Sequence, residues 1–155
     1  VLNSDENNLY KNENIINELK EYAECIEFAG KFEMELSRLD EEEAKMFMED
    51  MNIKDSAINV FTKTAYSVLG LISFFTVGTD EVRAWTIHKG DIALEAAGKI
   101  HSDLARGFIR AETFNYTDFV THGSEKAIRE KGLFRLEGKT YVVKDGDIIN
   151  VRFNV

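Results

Sequence analysis

The segment spanning residues 81–112 changes its hydrophobic period twice, which restricts the fold more than any other stretch of the chain. Residues 82–87 are mostly β-branched or aromatic and predict a strand. Asp91 is expected to cap a helix that begins at Ile92, where the period becomes 3.6. A second strand is predicted at 108–112. The order strand, helix, strand favours an α+β fold in which the helix packs on a sheet.

The predicted helix has a narrow apolar face with two alanines, which would let it lie close to the strands. Its apolar residues are Ile92, Leu94, Ala96, Ala97 and Ile100. His101 is expected in the last turn, where a partial positive charge suits the helix dipole.

Motifs in this segment and toward the end of the chain occur in the order found in one protein family. The run AWTIHKGDIALEAAGKIHSDLARGFIRAE resembles the TGS domain of the YchF family, the Obg-like ATPases, in its AWTI strand, AAG-x-IH helix and GFI-x-AE strand. GSEKAIREKG and LEGKTYVVKDGDIINVRFNV resemble the family's closing GSE helix, EGK-x-Y-x-V strand, DGD turn and RFN terminus. The chain is thus similar to the C-terminal portion of a YchF-type ATPase.

The resemblance implies a β-grasp, ubiquitin-like TGS domain at 71–155, preceded at 1–70 by a mostly helical C-terminal piece of a P-loop G domain. The hydrophobic patterns of the second part agree with about five strands and one principal helix. The predicted strands are 71–77, 82–87, 108–114, 133–136 and a closing hairpin of 141–143 with 148–155, and a short helical region is predicted at 117–131. In the last strand, Ile149, Val151, Phe153 and Val155 are expected on the buried face.

The first part of the chain has the patterns of three helices and a short strand. Helices are predicted at 12–24, 41–50 and 55–69, and a strand at 25–28. Asp40 and Glu43 have the spacing of a capping box, which explains the acidic run at 40–43 without a metal. Gly70 is expected to end the last of these helices.

Charge is divided unevenly between the two parts. Residues 1–70 contain 7 Lys and Arg against 16 Asp and Glu, a balance of −9, whereas residues 71–155 contain 12 of each sign. An acidic first part disfavours nonspecific binding to nucleic acid, and no DNA partner is expected. The neutral second part still allows a local basic face.

The sequence disfavours a membrane or secreted protein. Its longest apolar stretch, 68–77, is too short to span a bilayer, and the start of the chain lacks the pattern of a signal peptide. Cys25 is the single cysteine, which excludes an intramolecular disulfide and a metal-thiolate cluster. We therefore expect a soluble, cytoplasmic protein without a metal site of its own.

The resemblance implies a nucleotide-base site in the first part. Asn3 and Glu6 match an Asn-x-x-Glu element that takes the place of Asn-Lys-x-Asp in GTPases. By this likeness, Asn3 steadies the loop and contacts the base, and Ser4 offers its backbone N–H and C=O to the purine edge. Glu6 replaces the Asp that would accept from guanine, which favours ATP.

A second base-contacting element is implied at 29–33. This loop resembles the family's Ser-Ala-Lys-x-Glu sequence, with Ala29 and Gly30 in place of Ser-Ala. The change keeps the small side chains, whose backbone N–H groups are expected to face the base, and removes a hydroxyl.

Catalysis is not expected from this chain alone. The sequence has no Gly-x-x-x-x-Gly-Lys-Ser/Thr loop to hold phosphates and Mg²⁺. His88, His101 and His122 have no Cys or Ser in a nucleophile arrangement. ATP or GTP, with Mg²⁺, would be cofactors of a full-length parent whose N-terminal G domain is missing here.

Four arginines suggest a ribosome-binding or RNA-binding face. Strand alternation predicts that Arg110, Arg135 and Arg152 share the open face of the sheet, with Arg83 and Trp85 nearby. Phe108 is expected on the same face as Arg110, with Ile109 and Ala111 on the other. Cross-strand pairing with Glu112 and Glu137, and a core position for Trp85, is the structural alternative.

Two further functions remain open. The chain is also compatible with a regulatory RNA-binding or protein-interaction TGS module without nucleotide binding, as occurs in threonyl-tRNA synthetases and stringent-response enzymes. A third alternative is a structural or oligomerisation piece that would self-associate independently of nucleotide and RNA. The Asn3–Glu6 element speaks against the stand-alone module.

Overall fold

The computed structural model describes residues 1–78 and 80–154, apart from the side chain of Glu6. Val155, the predicted end of the last strand, lies outside the described residues. The chain forms two units, Val1–Leu69 and Gly70–Val155. Both units mix helices with strands, which confirms the predicted α+β class.

Helices dominate the first unit. Its elements are β1 (Leu2–Asn3), a 3₁₀ turn (Glu6–Asn8), α1 (Glu13–Lys20), β2 (Glu27–Phe28), α2 (Gly30–Leu36), α3 (Glu41–Asp50) and α4 (Ala57–Val68). β1 and β2 pair in parallel, with Asn3 opposite Phe28. The prediction of a loop at 29–33 is wrong because α2 begins at Gly30, which lets Phe32 and Leu36 turn inward on one helix face.

Packing in the first unit centres on α2. The buried residues are Ala29, Phe32, Leu36 and Ile53. Phe32 also stacks on Phe47 of α3, with ring centroids 5.2 Å apart. The predicted capping box at the start of α3 is confirmed, since the Glu43 N–H donates to Asp40 Oδ1 at 2.9 Å and the Asp40 N–H donates to Glu43 Oε2 at 3.4 Å.

The described part of the second unit is built on a five-stranded mixed sheet. In chain order its elements are β3 (Leu71–Val77), β4 (Val82–His88), α5 (Ala93–Ile100), α6 (Ser102–Arg106), β5 (Phe108–Asn115), α7 (Tyr116–His122), α8 (Glu125–Glu130), β6 (Arg135–Glu137) and β7 (Asp147–Phe153). The strand order is β4-β3-β7-β5-β6. Among the described strands of this sheet, β3 and β7 pair in parallel, at Phe75 and Ile148. The pairs β3–β4, β5–β6 and β5–β7 are antiparallel.

Helices cover both faces of this sheet. On one face, Phe74 and Ile149 pack with the alanines of α5, Ala93, Ala96 and Ala97. On the other face, Ile148 packs with Phe114 and with Ile128 of α8. Because Ile148 and Ile149 are neighbours on one strand, they point to opposite faces, and the two clusters lie on opposite sides of the sheet.

Two details of the predicted α5 helix are wrong. Asp91 does not cap it; its Oδ2 accepts from the His88 N–H at 3.0 Å and closes the turn after β4. Instead Ile92 is the N-cap residue, and its N–H donates to Glu95 Oε2 at 2.8 Å. His101 lies beyond the helix, where its Nδ1 accepts from the Asp103 N–H at 3.2 Å and starts the unpredicted helix α6.

The predicted closing hairpin does not form. Segment 141–143 pairs with the turn before α5 instead: the Val143 N–H donates to Asp91 O at 3.0 Å, and the Ala93 N–H donates to Tyr141 O at 2.8 Å. Val142 makes an isolated antiparallel bridge with Ile92. The edge strand next to β5 is therefore β6, and β7 pairs with β3 and β5.

A β-bulge overturns the predicted alternation at the start of β5. The register between β5 and β7 shifts between Phe108 and Arg110. Phe108 and Ala111 are consequently both buried in the α5-side core, whereas Ile109 is 55% exposed. A glycine is needed at position 107, beside this bulge, because a Cβ there would lie 2.3 Å from the carbonyl oxygen of Asn154 and clash with it.

Candidate functional site

The parallel strand pair of the first unit joins the two segments that the sequence singles out. Asn3 ends β1, and its Oδ1 accepts a hydrogen bond from the N–H of Gly30 at 2.9 Å. A Cβ on Gly30 would lie 3.0 Å from that oxygen and 3.2 Å from Phe28 Cε2. A glycine at this position therefore lets the Asn3 side chain reach the start of α2.

This contact limits which backbone groups of Ala29 and Gly30 are available to a nucleotide base. The Gly30 N–H, which was expected to face a base, donates to Asn3 instead. The methyl group of Ala29 is buried in the core with Phe32. In this conformation the segment supports Asn3, and its contact with a nucleotide base stays a prediction.

Ser4 is likewise engaged inside the protein. Its N–H donates to Phe28 O at 2.9 Å, which continues the strand pairing, and a contact of Ser4 with a purine edge stays a prediction. Its hydroxyl donates to Glu27 Oε1. Glu6 belongs to the 3₁₀ turn that follows, and its side chain lies outside the described residues.

A carboxylate that the sequence analysis missed organises this loop. Glu27 lies on β2 and accepts from Asn12 Nδ2 at 2.6 Å and from the Tyr10 N–H at 3.2 Å, in addition to Ser4. Burial opposes ionisation of Glu27, but these hydrogen bonds outweigh it and hold the pKa of its carboxyl below the ordinary value. The available signal was a charged residue inside the predicted strand at 25–28, whose other residues, Cys25, Ile26 and Phe28, are apolar.

The second candidate site is a pair of arginines on the β5–β7 strand pair. Arg110 and Arg152 lie directly opposite each other, two residues along the strands from the pair of Glu112 and Asn150. Arg152 Nη2 donates to Glu112 Oε1 at 3.0 Å. Arg110 has no hydrogen bond or ion pair within the described part of the chain. Like charges placed opposite each other on neighbouring strands are unfavourable, and the Glu112 carboxylate offsets part of this repulsion through its ion pair with Arg152.

Arg135 does not belong to that face. It pairs with Thr113, whereas its neighbour Leu136 pairs with Glu112, so Arg135 points to the opposite side of the sheet. There its Nη2 donates to Tyr141 Oη at 3.0 Å and to Asp147 Oδ1 at 3.3 Å. The expectation that three arginines share one face is wrong because Arg135 serves this internal network.

Arg83 also lies on the α5 side. It pairs with Thr76, and its guanidinium carbon lies 4.3 Å from the centroid of the Trp85 ring. Trp85 packs against the α5-side core and stacks on Phe74, with centroids 6.5 Å apart. Of the four predicted arginines, Arg110 and Arg152 therefore share one face of the sheet, and Arg83 and Arg135 lie on the other.

The network around Arg135 makes the stability of the second unit decrease at high pH. Burial, together with the hydrogen bond to Asp147, raises the pKa of Tyr141 from 10.0 to about 12. The proton on Tyr141 thus contributes stability that is fully present below pH 10 and is lost as the pH rises toward 12. Tyr141→Phe has no phenol proton to lose, so its free energy of unfolding should not decrease for this reason. The difference in unfolding free energy between the wild type and Tyr141→Phe is therefore expected to shrink above pH 10.

Urea unfolding of both proteins at several pH values between 9 and about 12 measures this difference. A difference that stays constant across this interval would contradict the assignment.

Neither a metal centre nor a membrane span is found in the described residues. They contain no group of three or more His, Cys, Asp or Glu side chains that could hold a metal ion. None of their helices has the length and apolar character needed to cross a membrane.

Sequence comparison connects this geometry to one family. The profile of YchF-GTPase_C, described as "Protein of unknown function (DUF933)", matches residues 71–154, more than half of the chain. The chain belongs to the YchF-GTPase_C family. It is 49% identical over 149 residues to "Ribosome-binding ATPase YchF" of Bacillus subtilis and 47% identical over 132 residues to "Obg-like ATPase 1" of Rattus norvegicus.

These relatives are much longer proteins. The matches cover 93% and 85% of this chain but 40% and 33% of the two relatives. The solved structure of the Schizosaccharomyces pombe YchF GTPase matches 92% of this chain and 37% of its own, with a TM-score of 0.78 and 37% identity. The chain thus corresponds to the C-terminal portion of YchF proteins, about two fifths of their length.

Proposed function

We propose that this chain is the C-terminal part of a YchF-type nucleotide-binding ATPase that associates with the ribosome. In this proposal residues 1–70 complete the nucleotide-binding G domain, and residues 71–155 form a TGS domain that docks on ribosomal RNA. The observation that carries the nucleotide role is the hydrogen bond between Asn3 and Gly30, which fastens the two base-contacting segments to each other. ATP is the preferred nucleotide because Glu6 replaces the Asp that pairs with guanine.

The small sheet of the first unit supports its membership in a larger domain. β1 and β2 are parallel strands of two residues each, and parallel sheets are normally larger and covered on both faces. Helix α4 buries no residue, and its Ile58 and Phe61 are 66% and 51% exposed. A preceding G domain would extend this sheet and supply the phosphate loop and Mg²⁺ site, so ATP hydrolysis belongs to the full-length protein.

The topology of the second unit supports a β-grasp fold. An antiparallel hairpin, β3–β4, is followed by helix α5, and the last strand returns to the centre of the sheet parallel to β3. The relative from Bacillus subtilis is named a ribosome-binding ATPase. By this likeness we assign the second unit to ribosome docking and the protein to the cytoplasm.

The nucleotide role is tested in the full-length protein by Asn3→Ala. Loss of the bond to the Gly30 N–H frees the loop, and we expect ATP to bind about tenfold more weakly, with a smaller preference for ATP over GTP. Calorimetric titration of both nucleotides measures this. Asn17→Ala is the matched control because Asn17 is an exposed amide on α1. An unchanged ratio of ATP to GTP affinity in Asn3→Ala would rule out this base site and favour the TGS module without nucleotide binding.

A further inference from the structure

Glu27 holds the segment between β1 and α1 at both of its ends. Its carboxylate accepts from Ser4, which follows Asn3 directly, and from Tyr10 and Asn12 at the other end. From this geometry we propose that Glu27 is a positioning residue that fixes the base loop, residues 3–6, for purine recognition. The inference rests on the proposed nucleotide function and adds a residue outside the Asn-x-x-Glu element.

The hydrogen bonds of Glu27 offset an unfavourable backbone conformation. Tyr10 has a φ of 63°, in the left-handed region that non-glycine residues seldom occupy. Its N–H donates to Glu27 Oε2, which helps to hold the chain in this turn. The return of the chain toward α1 is thereby tied to β2, the strand that pairs with Asn3.

Asn12 completes the connection. Its Nδ2 lies 3.1 Å from Ser4 Oγ and 3.2 Å from Asn8 O, in addition to its bond with Glu27. Ser4 is therefore held by its backbone through Phe28 and by its hydroxyl through Glu27 and Asn12. A loop fixed in this way loses less conformational entropy when a base binds, so its geometry contributes to affinity and to the choice of base.

Glu27→Gln in the full-length protein tests the role. The substitution keeps the shape of the side chain but turns one acceptor into a donor, which faces either the donors of Ser4 and Asn12 or the Tyr10 N–H. We expect the Kd for ATP to rise about tenfold and the ratio of ATP to GTP affinity to fall, because the loop that reads the base is released. The Kd for inorganic tripolyphosphate, which has no base, is expected to stay unchanged. Calorimetry with these three ligands supplies the values.

Two further variants serve as control and rescue. Glu24→Gln removes the same charge from an exposed position three residues earlier and should bind all three ligands as the wild type does. Glu27→Gln combined with Asn12→Asp exchanges the amide and the carboxylate and restores a donor–acceptor pair between positions 12 and 27. It should recover part of the ATP affinity, because an aspartate at position 12 cannot donate to Asn8 O. If Glu27→Gln alone folds poorly, Asn12→Ala supplies the measurement, because it removes a donor to Glu27 and should likewise lower the ratio of ATP to GTP affinity.

The outcomes separate this inference from the proposed function. If Asn3→Ala changes the preference for ATP over GTP while Glu27→Gln does not, the positioning role of Glu27 is overturned and the base site stands. Equal weakening of ATP, GTP and tripolyphosphate by Glu27→Gln would reduce Glu27 to general stability and also overturn the inference. If neither Asn3→Ala nor Glu27→Gln alters base preference, the base site itself is rejected.

Discussion

Asp147→Asn is expected to lower the free energy of unfolding of the second unit by about 2 to 3 kcal/mol. The Asp147 side chain is 0% exposed and accepts from Tyr141 Oη at 2.7 Å, from the Lys144 N–H at 2.9 Å and from Arg135. An amide at this position places an N–H group among those donors. The loss should stay below that of a fully buried ion pair because the Arg135 side chain is 35% exposed and regains water.

Urea unfolding followed by the fluorescence of Trp85 measures this loss. Trp85 is the single tryptophan and lies in β4, so its signal reports on the second unit. Glu81→Gln removes one charge from an exposed position of the same unit and should change the stability by less than about 0.5 kcal/mol. If Asp147→Asn were no more destabilising than this control, the network would not stabilise the fold.

Much of the second unit could be predicted from the sequence because its strands alternate and its principal helix follows a 3.6 period. β3 was predicted at its observed bounds, Leu71–Val77, and β4 extends one residue beyond its prediction, to His88. The capping box of α3 was equally accessible, since Asp40 and Glu43 lie three residues apart and interact within one turn. Signals of this kind depend on residues that are close in sequence.

Features that depend on distant residues were not predicted. The bulge in β5 arises where Gly107 meets the backbone of Asn154, and the local sequence near Phe108 does not predict that contact. Arg135 was assigned to the open face because alternation within one strand does not reveal which face of that strand meets Asp147 and Tyr141. Long-range pairing thus decided the position of each of these side chains.

The base loop shows the same limit at a smaller scale. Family motifs pointed to Asn3 and Gly30, and the structure brings these two residues into contact. Their direct partnership was not expected, because a motif indicates which residues take part in a site and not which of them bond to each other. Glu27 was missed since its three donors come from positions 4, 10 and 12, where the sequence shows ordinary polar residues.

The double variant Arg110→Ala, Arg152→Ala is expected to weaken ribosome binding of the full-length protein about 100-fold at 0.1 M salt. Each arginine is assigned one phosphate contact, worth roughly a factor of ten, because Arg110 is free of internal partners in the described structure and Arg152 is 62% exposed beside Glu112. Co-sedimentation with ribosomes at several salt concentrations measures both the affinity and its salt dependence. The slope of log affinity against log salt should fall by between one and two.

A second double variant separates a face that binds phosphate from one that contributes only its charge. Arg106→Ala combined with Lys99→Ala removes two positive charges from α6 and α5, which pack on the other face of the sheet, and so matches the change in net charge. If ribosome binding depends only on net charge, the two double variants will weaken it equally. A larger loss for the Arg110 and Arg152 pair, with the shallower slope, is expected because contacts at fixed positions release condensed counterions, whereas distant charges are screened within about 10 Å at this salt. Wild-type affinity and slope in the Arg110 and Arg152 variant would show that the ribosome does not dock on this face.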